Sequence, residues 1–209
     1  MAIESKPVSE VDQKKLTEAA TAIAAKAIRD LSEDELKVRI GAASASKDWR
    51  GTRDLGVALR GLFTGDSAQA HGLFAEGFAL GQLGEPAAAI AAYDEVVRRF
   101  GDSAEPALRE PVAMALVNKG ATQGQRGEPD AAIATYDEVV RRFGDSAEPA
   151  LREQVAKALV NKGFTQGRSG DPNAAIAAYD EVVRRFGDSA EPALRERVAM
   201  ARKLRASLS

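Results

Sequence analysis

The eighteen-residue stretch YDEVVRRFGDSAEPALRE occurs three times in the chain without a single difference, at residues 93–110, 136–153 and 179–196. Successive copies begin 43 residues apart. A fixed period of this length indicates a solenoid, in which each unit packs mainly on its neighbours. We therefore expect three related structural units arranged in series.

The composition is that of a globular chain whose charges nearly balance. Of the 209 residues, 44% are hydrophobic and 29% are charged, which is enough for a buried core. The net charge of −2 offers no field that would attract nucleic acid or an anionic membrane. The absence of cysteine excludes disulfides, thiolate metal sites and cysteine nucleophiles. No apolar targeting or membrane-spanning segment is present, so we expect a cytoplasmic location and no membrane partner.

Each unit begins with a pattern typical of an amphipathic helix. In PAAAIAAYDEVVRRF, residues 86–100, the residues Ile90, Tyr93, Val97 and Phe100 recur at helical spacing. Pro86 suits the first turn of a helix, and the glycine at position 101 suits a left-handed C-terminal cap. The pattern predicts a helix of about four turns.

A second, longer helix is predicted over residues 106–127. Leu108, Val112 and Leu116 lie on one side of it, and Gly127 ends it. Pro111 conflicts with this pattern, because proline within a helix removes the hydrogen bond to the carbonyl four residues earlier. We expect a bend or a new helix start near Pro111.

The spacing of small and aromatic residues in these units resembles the tetratricopeptide repeat. Relative to one glycine, each unit has a leucine four residues before, a glycine seven after, an alanine twelve after and a tyrosine sixteen after. The residues are Leu73, Gly77, Gly84, Ala89 and Tyr93; Leu116, Gly120, Gly127, Ala132 and Tyr136; and Leu159, Gly163, Gly170, Ala175 and Tyr179. In that family the small residues let two antiparallel helices approach, and the aromatic residue fills the gap between them.

The resemblance implies an all-α, right-handed helical-repeat solenoid of three helix pairs. We expect it to occupy residues 67–209, with a capping helix at 192–208. The chain departs from the family in three ways. Each unit is nine residues longer, Gly101, Gly144 and Gly187 replace the closing proline, and the usual leucine is replaced by Glu76, Lys119 and Lys162.

Differences between the copies lie mostly on the long helix. Positions 111, 114, 121 and 125 differ from their counterparts 154, 157, 164 and 168. On a helical wheel they face away from the core residues. In tetratricopeptide solenoids this side lines the concave groove, so the resemblance implies a fixed framework with a variable contact surface.

Asn118 and Asn161 lie on this stripe but do not vary. An amide can both donate to and accept from the backbone of an extended peptide, and the resemblance implies this role. The alternative is an exposed asparagine in a copied segment. The first unit has Ala75 at this position.

Twelve further positions complete the candidate groove. They are His71, Phe74, Phe78 and Gln82; Met114, Val117, Ala121 and Gln125; and Lys157, Val160, Phe164 and Arg168. Phe78 and Phe164 would be apolar anchors for a partner, or would pack against an adjacent helix. His71 has no neighbouring cysteine or acidic cluster at ligand spacing, so we expect neither a metal nor a catalytic role for it.

Residues 1–66 contain no copy of the repeat and are expected to form a small helical domain or a cap. Ser9 and Ser32 each precede an acidic residue by three positions, which predicts helices at 10–30 and 33–45. A third helix is expected at 48–63.

Three classes of function fit these features. The leading class is a scaffold or adaptor that binds a protein or peptide partner, and the alternative is a structural protein that self-associates through repeat stacking. A helical-repeat nucleic-acid binder fits less well, because only 5% of residues are aromatic. The sequence has no catalytic pairing and no glycine-rich phosphate loop, so we expect no enzyme activity, no cofactor and no bound metal.

Overall fold

A computed structural model describes residues 27–208 of the chain. This part contains a 3-10 turn at Ile28–Asp30, nine α-helices and no strand, which confirms the all-α repeat fold. The helices are α1 Glu33–Ala45, α2 Trp49–Leu62, α3 Asp66–Gln82, α4 Pro86–Phe100, α5 Pro106–Gln125, α6 Pro129–Phe143, α7 Pro149–Arg168, α8 Pro172–Phe186 and α9 Pro192–Ala206.

Most helix starts follow the capping signals in the sequence. Ser32 and Glu35 form the reciprocal hydrogen bonds of a capping box at the start of α1. Proline occupies the first helical position of every helix from α4 to α9. The helix predicted at 10–30 lies largely outside the described residues, and its last three residues form a 3-10 turn instead of an α-helix.

The left-handed cap expected at Gly101 is wrong. Gly101 has a right-handed backbone, with φ −59°, whereas Gly84, Gly127 and Gly170 have φ values of +82°, +80° and +87°. These three glycines end the long helices, where the chain reverses into the next helix. Gly101 nevertheless lies in a crowded place: a Cβ there would clash with the backbone oxygen of Val97 and would lie 2.7 Å from Nη1 of Arg142.

Of the two outcomes expected at Pro111, a bend or a new helix start, the new start is wrong, since α5 runs continuously from Pro106 to Gln125. Pro111 is the sixth residue of the helix, so it removes one backbone hydrogen bond, to the carbonyl of Ala107. Its ring is buried in the repeat core, which offsets part of that loss.

The helices pack in two layers. Each helix contacts the next one along the chain, and α3, α5, α7 and α9 also contact one another in series. Within each pair the aromatic ring lies against a glycine, as the repeat pattern predicted. A Cβ at Gly120 would lie 2.6 Å from Cε1 of Tyr136, and the same closeness occurs at Gly77 with Tyr93 and at Gly163 with Tyr179. Backbone and ring therefore touch directly, and only glycine permits this distance.

The invariant segment connects consecutive units. Nη1 of Arg142 donates to the carbonyl oxygen of Gly101 at 3.0 Å, and Nη1 of Arg185 donates to that of Gly144 at 3.2 Å. In the opposite direction along the chain, ion pairs join Arg109 to Glu148 and Arg152 to Glu191. The middle copy thus bonds to the copy before it and to the copy after it, so a change there would disturb two junctions.

The two ends of the repeat array are covered differently. At the N-terminal end α2 and α3 lie close together. A Cβ at Gly56 would lie only 2.8 Å from the carbonyl oxygen of Gly72. Leu31, Leu36, Leu59 and Ala68 form a small second core there. The N-terminal helices therefore pack directly on the first unit.

At the C-terminal end α9 covers the last pair, as predicted, with Leu194, Val198 and Ala201 buried. Arg202 and Lys203 occupy the positions of buried Leu159 and Val160 in α7, and both are exposed. The outer side of α9 is therefore polar and exposed to solvent. No helix among residues 27–208 is both long and apolar enough to cross a membrane.

Candidate functional site

A cavity of about 580 Å³ lies between α5, α6 and α7. Five residues predicted for the groove line it together: Ala121, Gln125, Asn161, Phe164 and Arg168. The other lining residues are Gly124, Gly127, Pro129, Tyr136, Thr165 and Ser169. The variable stripe of two consecutive units therefore converges on one concave site.

Phe164 and Arg168 form the exposed edge of this cavity. Phe164 is 49% exposed, which is unusual for a phenylalanine. The guanidinium carbon of Arg168 lies 5.8 Å from the centre of the Phe164 ring, within the range of a cation–π contact. The cavity lining contains no carboxylate, so Arg168 gives this site a positive charge.

Asn161 contacts Tyr136, the tyrosine of the preceding repeat. Burial raises the pKa of Tyr136 to about 12, and a hydrogen bond with the Asn161 side chain opposes that shift. The neighbouring Thr165 hydroxyl donates to the backbone carbonyl of Asn161 at 2.9 Å. Asn161 is therefore held at the wall of the cavity by contacts on both its side chain and its backbone.

Asn118 lies outside this cavity lining. Its Nδ2 donates to the carbonyl oxygen of Met114 at 2.8 Å, one turn earlier in α5. That bond uses one of its two amide hydrogens. Asn118 and Asn161 thus occupy the same position in consecutive repeats but have different surroundings.

In the first unit the aromatic residues of the stripe pack within the protein. The ring of Phe78 meets that of Trp49 edge-on, with centroids 5.7 Å apart and an interplanar angle of 83°. Phe74 stacks on Phe78 at 6.2 Å and tilts against Tyr93 at 6.1 Å. Gln82 is exposed at the end of α3. In the first unit, helix α2 therefore covers Phe78 with the ring of Trp49.

In each unit the first stripe position, residue 71, 114 or 157, is half-buried. Nδ1 of His71 donates to the carbonyl oxygen of Ser67 at 2.8 Å, and burial lowers the pKa of His71. Lys157 has its pKa lowered by burial and by Arg197, against the effect of Glu153. Met114 is also half-buried.

Val117 and Val160 are fully buried in the repeat core, so their assignment to an open groove surface is wrong. They lie at the edge of the predicted stripe, where the helix turns toward its neighbour. Sequence reasoning also missed Tyr136 and Thr165 as lining residues. Tyr136 had been assigned only to packing, and its position beside Asn161 follows from the close approach of α5, α6 and α7.

The described residues contain no group of three or more His, Cys, Asp or Glu side chains that could hold a metal ion. The side chain of His71 hydrogen-bonds to a backbone carbonyl. Lys37, Glu33 and Glu110 act on its pKa only through their charges.

The fold defines an all-α helical-repeat protein, and comparison with known families makes that class more specific. The model of the tetratricopeptide repeat matches residues 114–146 and 157–189. The chain therefore contains tetratricopeptide repeats at two adjacent units, and the residues that line the cavity come largely from them. Searches of curated proteins and of solved structures gave no match.

Proposed function

We propose that this chain is a scaffold or adaptor that binds an extended segment of a partner protein between α5 and α7. This proposal rests on the cavity that five stripe residues line together: Ala121, Gln125, Asn161, Phe164 and Arg168. Tetratricopeptide repeats generally mediate protein–protein interaction and typically act as non-enzymatic scaffolds, which supports this function.

Each lining group has a defined task in this proposal. The amides of Asn161 and Gln125 provide donors and acceptors for the partner's backbone, whatever its side chains. Phe164 provides an exposed apolar contact of the kind that dominates interface energies. Arg168, with Lys157 earlier in α7 and outside the cavity lining, favours an acidic side chain in the partner.

Stacking of repeats between chains is the alternative function, and the end of the solenoid argues against it. A further unit would have to pack on α9 where Arg202 and Lys203 replace the buried Leu159 and Val160. Burying two cations without partners is unfavourable, so α9 resists continuation of the array.

The test first selects, from a random display library, peptides that bind the full chain. The dissociation constant of each selected peptide is then measured by calorimetry for the wild type and for Asn161→Ala. Because that change removes a hydrogen-bonding group from the cavity wall, we expect at least tenfold weaker binding, or about 1.4 kcal/mol.

The matched control is Arg98→Gln, which changes an exposed side chain on α4 that pairs with Glu95. Affinity should not change in this variant, and circular dichroism should show intact folding in both. The proposal fails if selection yields no peptide, or if Arg98→Gln loses binding while Asn161→Ala keeps it. Light scattering that shows a mass rising with protein concentration would favour self-association instead.

A further inference from the structure

Phe78 and Phe164 occupy the same position in the first and third units, yet only one of them is covered. Phe78 is half-buried beneath Trp49 of α2. Phe164 is 49% exposed and borders the cavity. The middle unit has Ala121 at this position, and Ala121 lines the same cavity as Phe164. The same repeat position is therefore covered by a tryptophan ring at Phe78 and open to solvent at Phe164.

Both phenylalanines face the helices that precede their own. Trp49 belongs to α2, which packs on α3 from the N-terminal side of the array. The cavity beside Phe164 is enclosed by α5 and α6, which likewise precede α7. The open space next to Phe164 and the Trp49 ring next to Phe78 thus both lie on the side of the preceding helices. Trp49 shows what kind of side chain this position accepts.

The size and the polar groups of the cavity suit an aromatic guest. About 580 Å³ lies within the usual range of ligand pockets and accommodates a large side chain with part of its backbone. An indole N–H needs an acceptor when it is buried, and three residues with side-chain oxygens line the cavity: Asn161, Gln125 and Thr165.

The charge of the cavity adds a second requirement. Arg168 lies over the Phe164 ring, and no carboxylate lines the cavity to neutralise it. A carboxylate next to the guest's aromatic ring would complement this charge.

We propose that the cavity beside Phe164 binds a tryptophan side chain that adjoins an acidic residue in the partner, with the indole edge-on to Phe164 as Trp49 is to Phe78. This inference rests on the proposed peptide-binding function and specifies the anchor residue of the peptide.

The probe for this proposal is N-acetyl-aspartyl-tryptophanamide, titrated into the isotope-labelled full chain and followed by the backbone amide signals. N-acetyl-aspartyl-alaninamide is the matched control ligand. The tryptophan compound should shift the signals of Gly124, Gly127 and Thr165, and the alanine compound should shift them at least tenfold more weakly at equal concentration.

Two variants test the position of the ring. Phe164→Ala removes the exposed partner ring, and Ala121→Phe introduces into the cavity the residue found at the first unit. Both should weaken the tryptophan-dependent shifts at least tenfold. Arg98→Gln should leave them unchanged. Equal shifts with both ligands, or tryptophan shifts that survive in both cavity variants, would overturn the proposal.

Failure of this inference can be distinguished from failure of the proposed function. If library-selected peptides depend on Asn161 but contain no aromatic residue, the groove binds peptides and only the tryptophan anchor is wrong. If no selected peptide depends on Asn161, the peptide-binding function itself is wrong, whatever the dipeptide does.

Discussion

The invariant eighteen-residue segment and the variable stripe of the long helices respond to different physical demands. Residues of the segment, such as Leu151 and Arg142, pack in the core or bond to the neighbouring unit. The open part of the stripe, at Phe164 and Arg168, borders the cavity and is exposed. A position that must fit two neighbours tolerates little change, whereas a position facing open space can differ from unit to unit.

The largest expected effect comes from truncating the invariant core. Leu151→Ala removes a side chain that is 0% exposed, and it should lower the free energy of unfolding by about 2–5 kcal/mol. The matched change in the stripe, Phe164→Ala, removes a larger but exposed side chain and should stay within about 0.5 kcal/mol. Urea unfolding monitored by circular dichroism measures both. Equal losses in the two variants would remove the distinction between framework and surface.

A smaller effect is expected where helix and ring touch. Gly120→Ala places a Cβ 2.6 Å from Tyr136 and should cost about 1–3 kcal/mol of unfolding free energy through overpacking. Gly124→Ala, four residues later in α5, meets nothing closer than 3.7 Å. This control should be neutral or should stabilise the helix by up to about 1 kcal/mol. If Gly120→Ala is as stable as Gly124→Ala in the same urea assay, the close Gly–Tyr contact does not set the helix spacing.

The copies also differ inside the repeat, and one difference leaves a polar atom without a partner. The Thr135 hydroxyl donates to Oε1 of Gln123 at 2.8 Å. In the next unit the corresponding residues are Gln166 and Ala178, and Oε1 of Gln166 is buried with no hydrogen-bond partner among the described residues.

Ala178→Thr should supply the missing donor and raise the free energy of unfolding by about 1 kcal/mol. Thr135→Ala is the reverse change in the middle unit and should lower it by about 1–3 kcal/mol, because Gln123 then loses its partner. Thermal and urea unfolding of the two variants should move in opposite directions. A loss of stability in Ala178→Thr would show that the third unit cannot reproduce the packing of the second.

The smallest effect concerns the acidic residues within the invariant segment. A hydrogen bond from Arg141, followed by one from Arg142, lowers the pKa of Glu138 to about 2. Arg184 and Arg185 lower that of Glu181 to about 2 in the same way. Because the folded-state pKa lies below the ordinary value of 4.5, the stabilisation is present above pH 4.5 and is lost as the pH falls toward 2.

Replacing both residues by glutamine should therefore reduce stability at neutral pH by less than about 1 kcal/mol per pair, since surface ion pairs contribute little. The difference from the wild type should shrink between pH 4.5 and 2, as measured by urea midpoints across that range. A difference that stays constant with pH would assign the effect to packing instead of charge.

The sequence by itself determined the repeat, the proline-marked helix starts and the framework residues. Period, proline positions and apolar spacing are local properties of the chain, so α4 was predicted with the bounds that the structure shows. The glycine–tyrosine contacts were predictable only through the resemblance to the tetratricopeptide repeat, since the two residues of each pair lie on different helices.

Only the tertiary structure decided which parts of the stripe are open. Phe78 and Phe164 share a repeat position, but α2 brings Trp49 onto Phe78 while α5 presents Ala121 beside Phe164. The carbonyl oxygen of Gly101 likewise accepts a hydrogen bond from Arg142, a residue of the next unit. In each case the deciding group comes from another helix, and its distance depends on how whole helices pack, which spacing along one helix does not specify.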